Sequence, residues 1–305
     1  MTGTTQAPAS ARPAPVISAG WLLILAGLIW LPACMRYSIE WSLNAQYYYG
    51  WAVPFLAAYL AYERLANCPP ASPPENPLLP ILVIAFFALP HPFVRIVSEA
   101  NSDWRLMVWL MGLSAGAICL GLFYLAGGRG WLVHFAFPVL FMATAIPWPS
   151  SMETLLVQGM MRTNAQISAG FVTVFAHIPA MAEGNTIRLP GGASLGVNEA
   201  CSGIRSLQST LMASIFLGGL YQLPIFARVV LALLGVAIAF LLNIVRTVFL
   251  SWEGATHGIA ATEKWHDSAG FAILGVVLVL LWLISRFLEK RYGAPPAQRP
   301  TAEAS

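Results

Sequence analysis

Long apolar runs dominate the chain and set the first structural expectation. Eight stretches approach the ~20 apolar residues that a helix needs to cross hydrocarbon, and Trp or Tyr stands at many of their ends, as in an aromatic belt. This pattern predicts an all-α polytopic membrane protein. The predicted transmembrane helices are 18–34, 47–62, 77–94, 105–126, 131–148, 206–222, 226–250 and 268–286.

Residues 149–205 interrupt this pattern. Their first half mixes apolar and polar residues, which favours one or two helices lying along the membrane interface. Residues 183–190 alternate apolar and polar positions before a PGGAS turn and a returning LGVNE segment, so a small extracytoplasmic β-hairpin is expected. The GGRG sequence at 127–130 lacks the Lys-Ser/Thr of a phosphate loop and predicts a tight turn.

The two ends of the chain differ from its middle. Residues 1–17, rich in Ala, Pro, Ser and Thr, predict a flexible cytoplasmic tail, and 291–305 a disordered C-terminal tail. Between them, 18–290 is expected to form one membrane-embedded domain. An even number of crossings puts both termini on one side, and the basic residues near the C-terminus place that side in the cytoplasm: Arg286, Lys290, Arg291 and Arg299.

Composition excludes several classes of protein. With 58% hydrophobic and 10% charged residues and a mean hydropathy of +0.69, the chain has too few polar groups to cover a water-soluble globule. A net charge of +3 is too mild for a nucleic-acid partner. The four cysteines show neither CxxC nor Cys/His metal spacing, and no cofactor motif occurs, so we expect no metal and no cofactor.

The segment NEACSGIRSL holds the densest group of unusual residues. It places Cys201 just before a predicted helix N-terminus, where the helix dipole and free N–H groups favour a thiolate. Arg205, one turn further on, adds positive charge, and Glu199 is a supporting candidate in the same segment. The alternative is a cysteine that merely packs at a loop–helix junction.

Arg246 stands within the apolar segment FLLNIVRTVFL. A charge at the centre of a spanning helix costs roughly 2.5–3.5 kcal/mol, so it usually has a partner or a function. Asn243, three residues earlier, shares its helical face. The alternative is an interfacial arginine whose side chain snorkels to lipid headgroups.

The segment WHDSAG precedes the last predicted span and contains His266. Histidine changes charge nearest neutral pH and therefore suits proton transfer. Asp267 is the neighbour that could orient its ring, and His257 is the rival histidine.

The eight-span arrangement brings Cys201, Arg246 and His266 to one membrane boundary. A thiolate can attack a carbonyl, an imidazole can move protons, and a guanidinium can stabilise an oxyanion. These are the groups that a cysteine acyl-transferase needs.

The ordered segments EGNTIRLPGGASLGVNEACSGIRSLQS, LNIVRTVFL and WHDSAGF, within residues 150–286, resemble the exosortase/archaeosortase family. The resemblance implies that Cys201 is the nucleophile and that Arg246 and His266 complete the catalytic site. It also implies a multi-pass protein of the bacterial inner membrane whose active site faces the extracytoplasmic side.

The activity implied by the resemblance is that of a cysteine peptidase and transpeptidase. Its expected substrates are exported proteins with a C-terminal sorting signal: a short motif such as PEP, a transmembrane helix and a basic tail. The acyl group would pass from a Cys thioester to a lipid or polysaccharide acceptor, in a process linked to exopolysaccharide and surface display.

Two functions without covalent catalysis remain as alternatives. A transporter or channel could use Arg246 to bind an anion, although no inverted repeat is found in the sequence. A glycan polymerase or flippase-like assembly protein would be expected to carry paired carboxylates, whereas Glu153, Glu183 and Glu199 are scattered. Neither GxSxG nor HExxH occurs, which disfavours serine and zinc proteases.

Overall fold

A computed structural model describes residues 18–101, 103–190, 194–196 and 203–293. Both predicted tails fall largely outside these residues, and the last helix continues to Tyr292. The described residues form mainly helices: α1 Ala19–Leu43, α2 Val53–Leu65, α3 Leu78–Ala88, α4 His91–Ala100, α5 Arg105–Phe141, α6 Ser150–Phe175, α7 Ile204–Leu220, α8 Ile225–His257 and α9 Ile259–Tyr292, with 3-10 segments at Ala45–Trp51 and Met142–Ala145.

Among the described residues, five helical segments are long and apolar enough to cross a membrane. The chain is therefore built as a multi-pass membrane protein, but eight separate crossings are not confirmed. With 13 and 17 residues, α2 and α7 would cover only about 20 and 26 Å of a hydrocarbon core about 30 Å thick. The five candidate segments are Ala19–Leu43, Leu78–Ala100, Arg105–Ala145, Ile225–His257 and Ala260–Tyr292.

The segment Arg105–Phe141 contains two helical arms rather than one straight helix. The indole Nε1 of Trp109 donates to the carbonyl of Pro147 at 2.9 Å, whereas a straight helix would separate these residues by about 57 Å. The chain reverses at Gly128, whose backbone is non-helical with φ 70° and ψ −163°, and Phe123 and Phe135 stack across the two arms at 4.7 Å. The tight turn predicted at 127–130 is therefore present.

The C-terminal helices define two ends of the molecule. Arg246 of α8 contacts His266 of α9 at one end. The contact between Gly203 and Asn243 shows that α7 starts at this same end. At the other end, Arg286 of α9 lies 5.5 Å from the ring centroid of Tyr221, just after α7. We call these the Arg246 end and the Arg286 end.

The N-terminal elements also extend between these two ends. Tyr48 in the first 3-10 segment lies under the guanidinium of Arg205, at the Arg246 end. Phe137 in the second arm of α5 lies under Arg228, close to the Arg286 end. The Gly128 turn therefore also lies at the Arg286 end.

The segment before the predicted nucleophile folds as one helix and a small sheet. Three strands, β1 Met181–Glu183, β2 Thr186–Arg188 and β3 Ser194–Gly196, form an antiparallel sheet in the order β1-β2-β3. The predicted hairpin corresponds to β2 and β3. The third strand, β1, was not predicted, because its sequence MAE is too short to show a strand pattern.

The sheet is fixed to α6 through one buried side chain. Ile187 of β2 is fully buried among apolar residues of α6, including Met161 and Ala165. Ile204 of α7 belongs to the same hydrophobic cluster. One 26-residue helix, α6, takes the place of the one or two interfacial helices expected. The sheet and the start of α7 thus share a single small core.

We predict that Gly128→Ala will lower the free energy of unfolding. Its φ and ψ lie in a region that is essentially restricted to glycine and costs about 1–3 kcal/mol for other residues, and a Cβ would come within 2.5 Å of Ser72 Oγ. The thermal unfolding midpoint in a fixed detergent measures the effect. Gly27→Ala is the control, because a Cβ there meets nothing within 4 Å; equal midpoints for both variants would contradict the prediction.

Candidate functional site

The guanidinium of Arg246 is held at the crossing of α8 and α9. Its Nη2 lies 3.2 Å from Nε2 of His266 and donates to the His266 carbonyl at 3.1 Å. Gly270, one turn further along α9, lies beside the guanidinium, where a Cβ would make an ordinary van der Waals contact with Nη2 at 3.5 Å. The side chain therefore joins the two helices instead of pointing into lipid.

The location of Arg246 differs from the sequence expectation. The helix was expected to end at about residue 250, but α8 continues to His257, which puts Arg246 about three turns inside it. Arg246 is only 8% exposed. An arginine that snorkels to headgroups would keep its charged group in water, so that alternative does not describe this side chain.

The partners of His266 define its tautomer. A guanidinium has donors and no acceptor, so Nε2 accepts from Arg246 and the ring proton belongs on Nδ1. Nδ1 donates to Oδ1 of Asp267 at 3.0 Å. In this hydrogen-bond arrangement the Nε2 lone pair of His266 is directed at the guanidinium.

His266 and Asp267 lie within a helix. We expected them in the segment before the last span, but α9 starts at Ile259 and places them about two turns inside it. Asp267 is 88% exposed, so water screens its interaction with the ring. It orients the imidazole without burying a charge.

Asn243 connects α8 to the start of α7. It is 2% exposed and lies on the Arg246 face of α8, as its spacing predicted. Gly203, the N-cap of α7, adopts a left-handed conformation with φ 86°, and a Cβ on it would lie 2.5 Å from Asn243 Cγ. The backbone at Gly203 therefore approaches α8 more closely than any other residue type would allow.

The remaining predicted site residues separate into three cases. Cys201 and Glu199 lie outside the described residues. Arg205 is exposed in the first turn of α7, with its guanidinium 5.9 Å from the ring centroid of Tyr48, so it links α7 to the first 3-10 segment. His257, the rival histidine, pairs with Glu253 at 3.1 Å and is 64% exposed, about 16 Å along α8 from Arg246.

A second polar group at the Arg246 end was not found by sequence reasoning. Glu153 accepts hydrogen bonds from the Tyr47 hydroxyl at 2.8 Å and from the Gln46 side-chain amide. The Tyr47 hydroxyl in turn accepts from the Trp148 backbone N–H at 3.0 Å. Burial, followed by the hydrogen bond to Glu153, raises the pKa of Tyr47 to about 12, so the phenol remains a donor at neutral pH.

This second group fixes the first 3-10 segment in place. Arg105 lies 5.6 Å from the Tyr47 ring centroid and forms an ion pair with Glu40 at 3.2 Å. The neighbouring Tyr48 is the residue that Arg205 contacts. In the sequence Glu153 is one of several scattered carboxylates, and no local pattern pairs it with residues more than 100 positions away.

No metal centre occurs among the residues that the structure describes, since no three His, Cys, Asp or Glu side chains are grouped there. The arrangement at the Arg246 end contains a guanidinium, an imidazole and an amide on two adjacent helices. This set can bind an anion, accept a proton and donate hydrogen bonds to a developing oxyanion.

Comparison with protein families gives one result that covers most of the chain. The family model described as transmembrane exosortase matches residues 41–283, which include Gly203, Asn243, Arg246 and His266. Neither the curated proteins nor the solved structures contain a match.

We predict that Gly203→Ala will destabilise the protein more than Gly258→Ala. Both glycines have positive φ, 86° and 90°, but a Cβ at Gly258 meets nothing within 4 Å, whereas at Gly203 it collides with Asn243. Both variants carry backbone strain, and only Gly203→Ala also displaces a buried side chain, so an additional loss of about 1–3 kcal/mol is expected. Thermal unfolding measures the difference; equal losses would show that α7 does not pack so closely on α8.

Proposed function

This chain belongs to the transmembrane exosortase family, and from that premise we propose that it is a membrane cysteine peptidase and transpeptidase. Its substrates are exported proteins that end in a short motif such as PEP, a transmembrane helix and a basic tail. The observation that supports this proposal most directly is the contact of the buried Arg246 with the partly exposed His266, located beside the start of α7.

Cys201 is the nucleophile in this proposal. It precedes Gly203 by two residues, and two residues of extended chain reach at most about 7 Å. Gly203 contacts Asn243 of α8, and together with this covalent limit the contact supports a nucleophile that acts beside α8. The N-terminus of α7 adds a partial positive charge that favours the thiolate.

The acylation step uses both side chains of the pair. The Cys201 thiol gives its proton to Nε2 of His266, and the sulfur forms a bond to the scissile carbonyl carbon. An imidazolium and a guanidinium repel each other, so protonation of His266 releases Nη2 of Arg246 from Nε2. The guanidinium keeps its bond to the His266 carbonyl and donates to the oxyanion instead.

The intermediate then collapses to a thioester. The C–N bond breaks, and His266 gives its proton to the departing amine, which carries the substrate's transmembrane helix and basic tail. An acceptor amine, linked to a lipid or a polysaccharide, next loses a proton to His266 and attacks the thioester carbonyl. The C–S bond then breaks, and the Cys201 sulfur leaves and takes the proton back from His266. Water is the competing acceptor and gives hydrolysis.

The proposed orientation places this chemistry on the extracytoplasmic side of the bacterial inner membrane. Arg286, Lys290 and Arg291 lie at the end of α9 that is opposite the Arg246 end. The positive-inside rule assigns such basic residues to the cytoplasm. A substrate helix with a cytoplasmic basic tail would then present its motif at the Arg246 end.

We predict that Cys201→Ala will abolish processing of a co-expressed substrate and leave the protein in the membrane. The readout is the size of an epitope-tagged substrate with a sorting signal, together with trapping of a covalent adduct on wild type. Cys68→Ala is the matched control, because Cys68 lies near the Arg286 end, beside Pro69. Retained processing in Cys201→Ala would refute the nucleophile assignment, and a carrier protein would form no adduct.

We also predict that His266→Gln will lower the processing rate by about 10²-fold or more, the usual contribution of general acid–base catalysis. Glutamine keeps a polar group facing Arg246, so the loss reports on proton transfer rather than folding. His257→Gln is the control and should change the rate less than about twofold, because His257 is exposed and bonded elsewhere. If His257→Gln lowered the processing rate more than His266→Gln, the result would assign catalysis to His257.

A further inference from the structure

Two arginines surround one aromatic ring close to the Arg286 end. The guanidinium carbons of Arg64, at the end of α2, and Arg228, in the first turn of α8, lie 5.0 and 4.8 Å from the ring centroid of Phe137. The two cations are therefore no more than about 10 Å apart. Three elements, α2, the second arm of α5 and α8, bring these residues together.

Both arginines are fixed in position by the surrounding backbone. Nη1 of Arg64 donates to the His134 carbonyl at 2.9 Å, and Nε of Arg228 donates to the Leu223 carbonyl at 2.6 Å. Two adjacent glycines of α7 make room for this arrangement. A Cβ at Gly218 would lie 3.0 Å from Arg228 Cγ, and one at Gly219 would overlap the Phe137 ring.

In the part of the chain that the structure describes, the charges of these arginines have no internal counter-ion. Among the described residues, neither guanidinium forms an ion pair with a carboxylate, whereas Arg286 at the same end pairs with Glu289. Burial, and secondly the charge of Arg228, lowers the pKa of Arg64 to about 10. Two half-buried cations that repel each other would gain from an anion supplied by a ligand.

An apolar groove begins at the same phenylalanine. It has a volume of about 320 Å³ and follows the second arm of α5 towards the Arg246 end, beside α7. Its lining is almost entirely apolar: Phe137, Leu140, Phe141, Ala143, Thr144 and Ile215. Phe137 therefore belongs both to the cationic group and to the groove.

We infer that Arg64, Arg228 and this groove form a binding site for an anionic phospholipid of the leaflet at the Arg286 end. The phosphate lies at the two guanidiniums, and one acyl chain occupies the groove between α5 and α7. Basic pockets between transmembrane helices bind anionic headgroups in this way. A protein segment with a basic end, such as the proposed substrate or the end of α9, would meet two like charges here, so charge favours the lipid.

This lipid site is independent of the proposed catalysis. It lies close to the end opposite Arg246 and His266, and it uses none of the residues assigned to the reaction. A bound lipid would contact α2, α5, α7 and α8 together. Loss of the lipid would leave the residues of the peptidase reaction unchanged and would weaken the association of these helices.

The test measures binding of fluorescent phosphatidylglycerol to the full-length protein in phosphatidylcholine nanodiscs. One basic residue near an anionic surface contributes about fivefold in affinity, so Arg64→Gln and Arg228→Gln should each weaken binding about fivefold and the double variant about 25-fold. Arg286→Gln is the matched control, because Arg286 also lies over an aromatic ring but pairs with Glu289. It should leave binding unchanged.

Ala143→Leu tests the acyl-chain part of the site while keeping both arginines. A larger side chain at this lining position should weaken binding of phosphatidylglycerol, and inorganic phosphate should displace the lipid poorly. Wild-type protein should also gain thermal stability on addition of phosphatidylglycerol. Unchanged binding in the double variant or in Ala143→Leu, equal binding of labelled phosphatidylcholine, or efficient displacement by inorganic phosphate would each overturn the inference.

Discussion

A buried cation inside an apolar helix is the constraint around which the C-terminal half is organised. An arginine at the centre of a spanning helix costs roughly 2.5–3.5 kcal/mol unless it is compensated, and Arg246 obtains compensation from the Nε2 and the carbonyl of His266. Both acceptors belong to α9, so the interaction selects the register between α8 and α9.

The second constraint is the close approach of α7 to α8. Gly203 contacts Asn243 on the same face of α8 as Arg246, and Ile204 joins the core formed by α6 and the sheet. From the N-terminal half, the first 3-10 segment contacts Arg205 through Tyr48. The start of α7 is therefore held from several directions by elements that are remote in sequence.

Much of this arrangement was predictable, and the failures have identifiable causes. Hydropathy located the long helices, and the Gly-rich sequence at 127–130 correctly indicated a turn. Helix ends were misjudged because polar residues such as Glu253 and Asp267 can continue a helix beyond the apolar segment. The Glu153–Tyr47 contact was missed because it depends on how α6 packs on the first 3-10 segment, which no local pattern encodes.

The reversal at Gly128 also determines on which side of the membrane the later elements lie, because it changes the number of crossings that precede them. Each crossing of the bilayer exchanges the two sides for everything that follows, so a helical hairpin returns the chain to the side from which it came. If residues 105–141 formed one uninterrupted rod, α6, the sheet and α7–α9 would be transferred to the opposite compartment. A single glycine more than 100 residues before Arg246 thus decides which aqueous phase Arg246, His266 and the start of α7 meet.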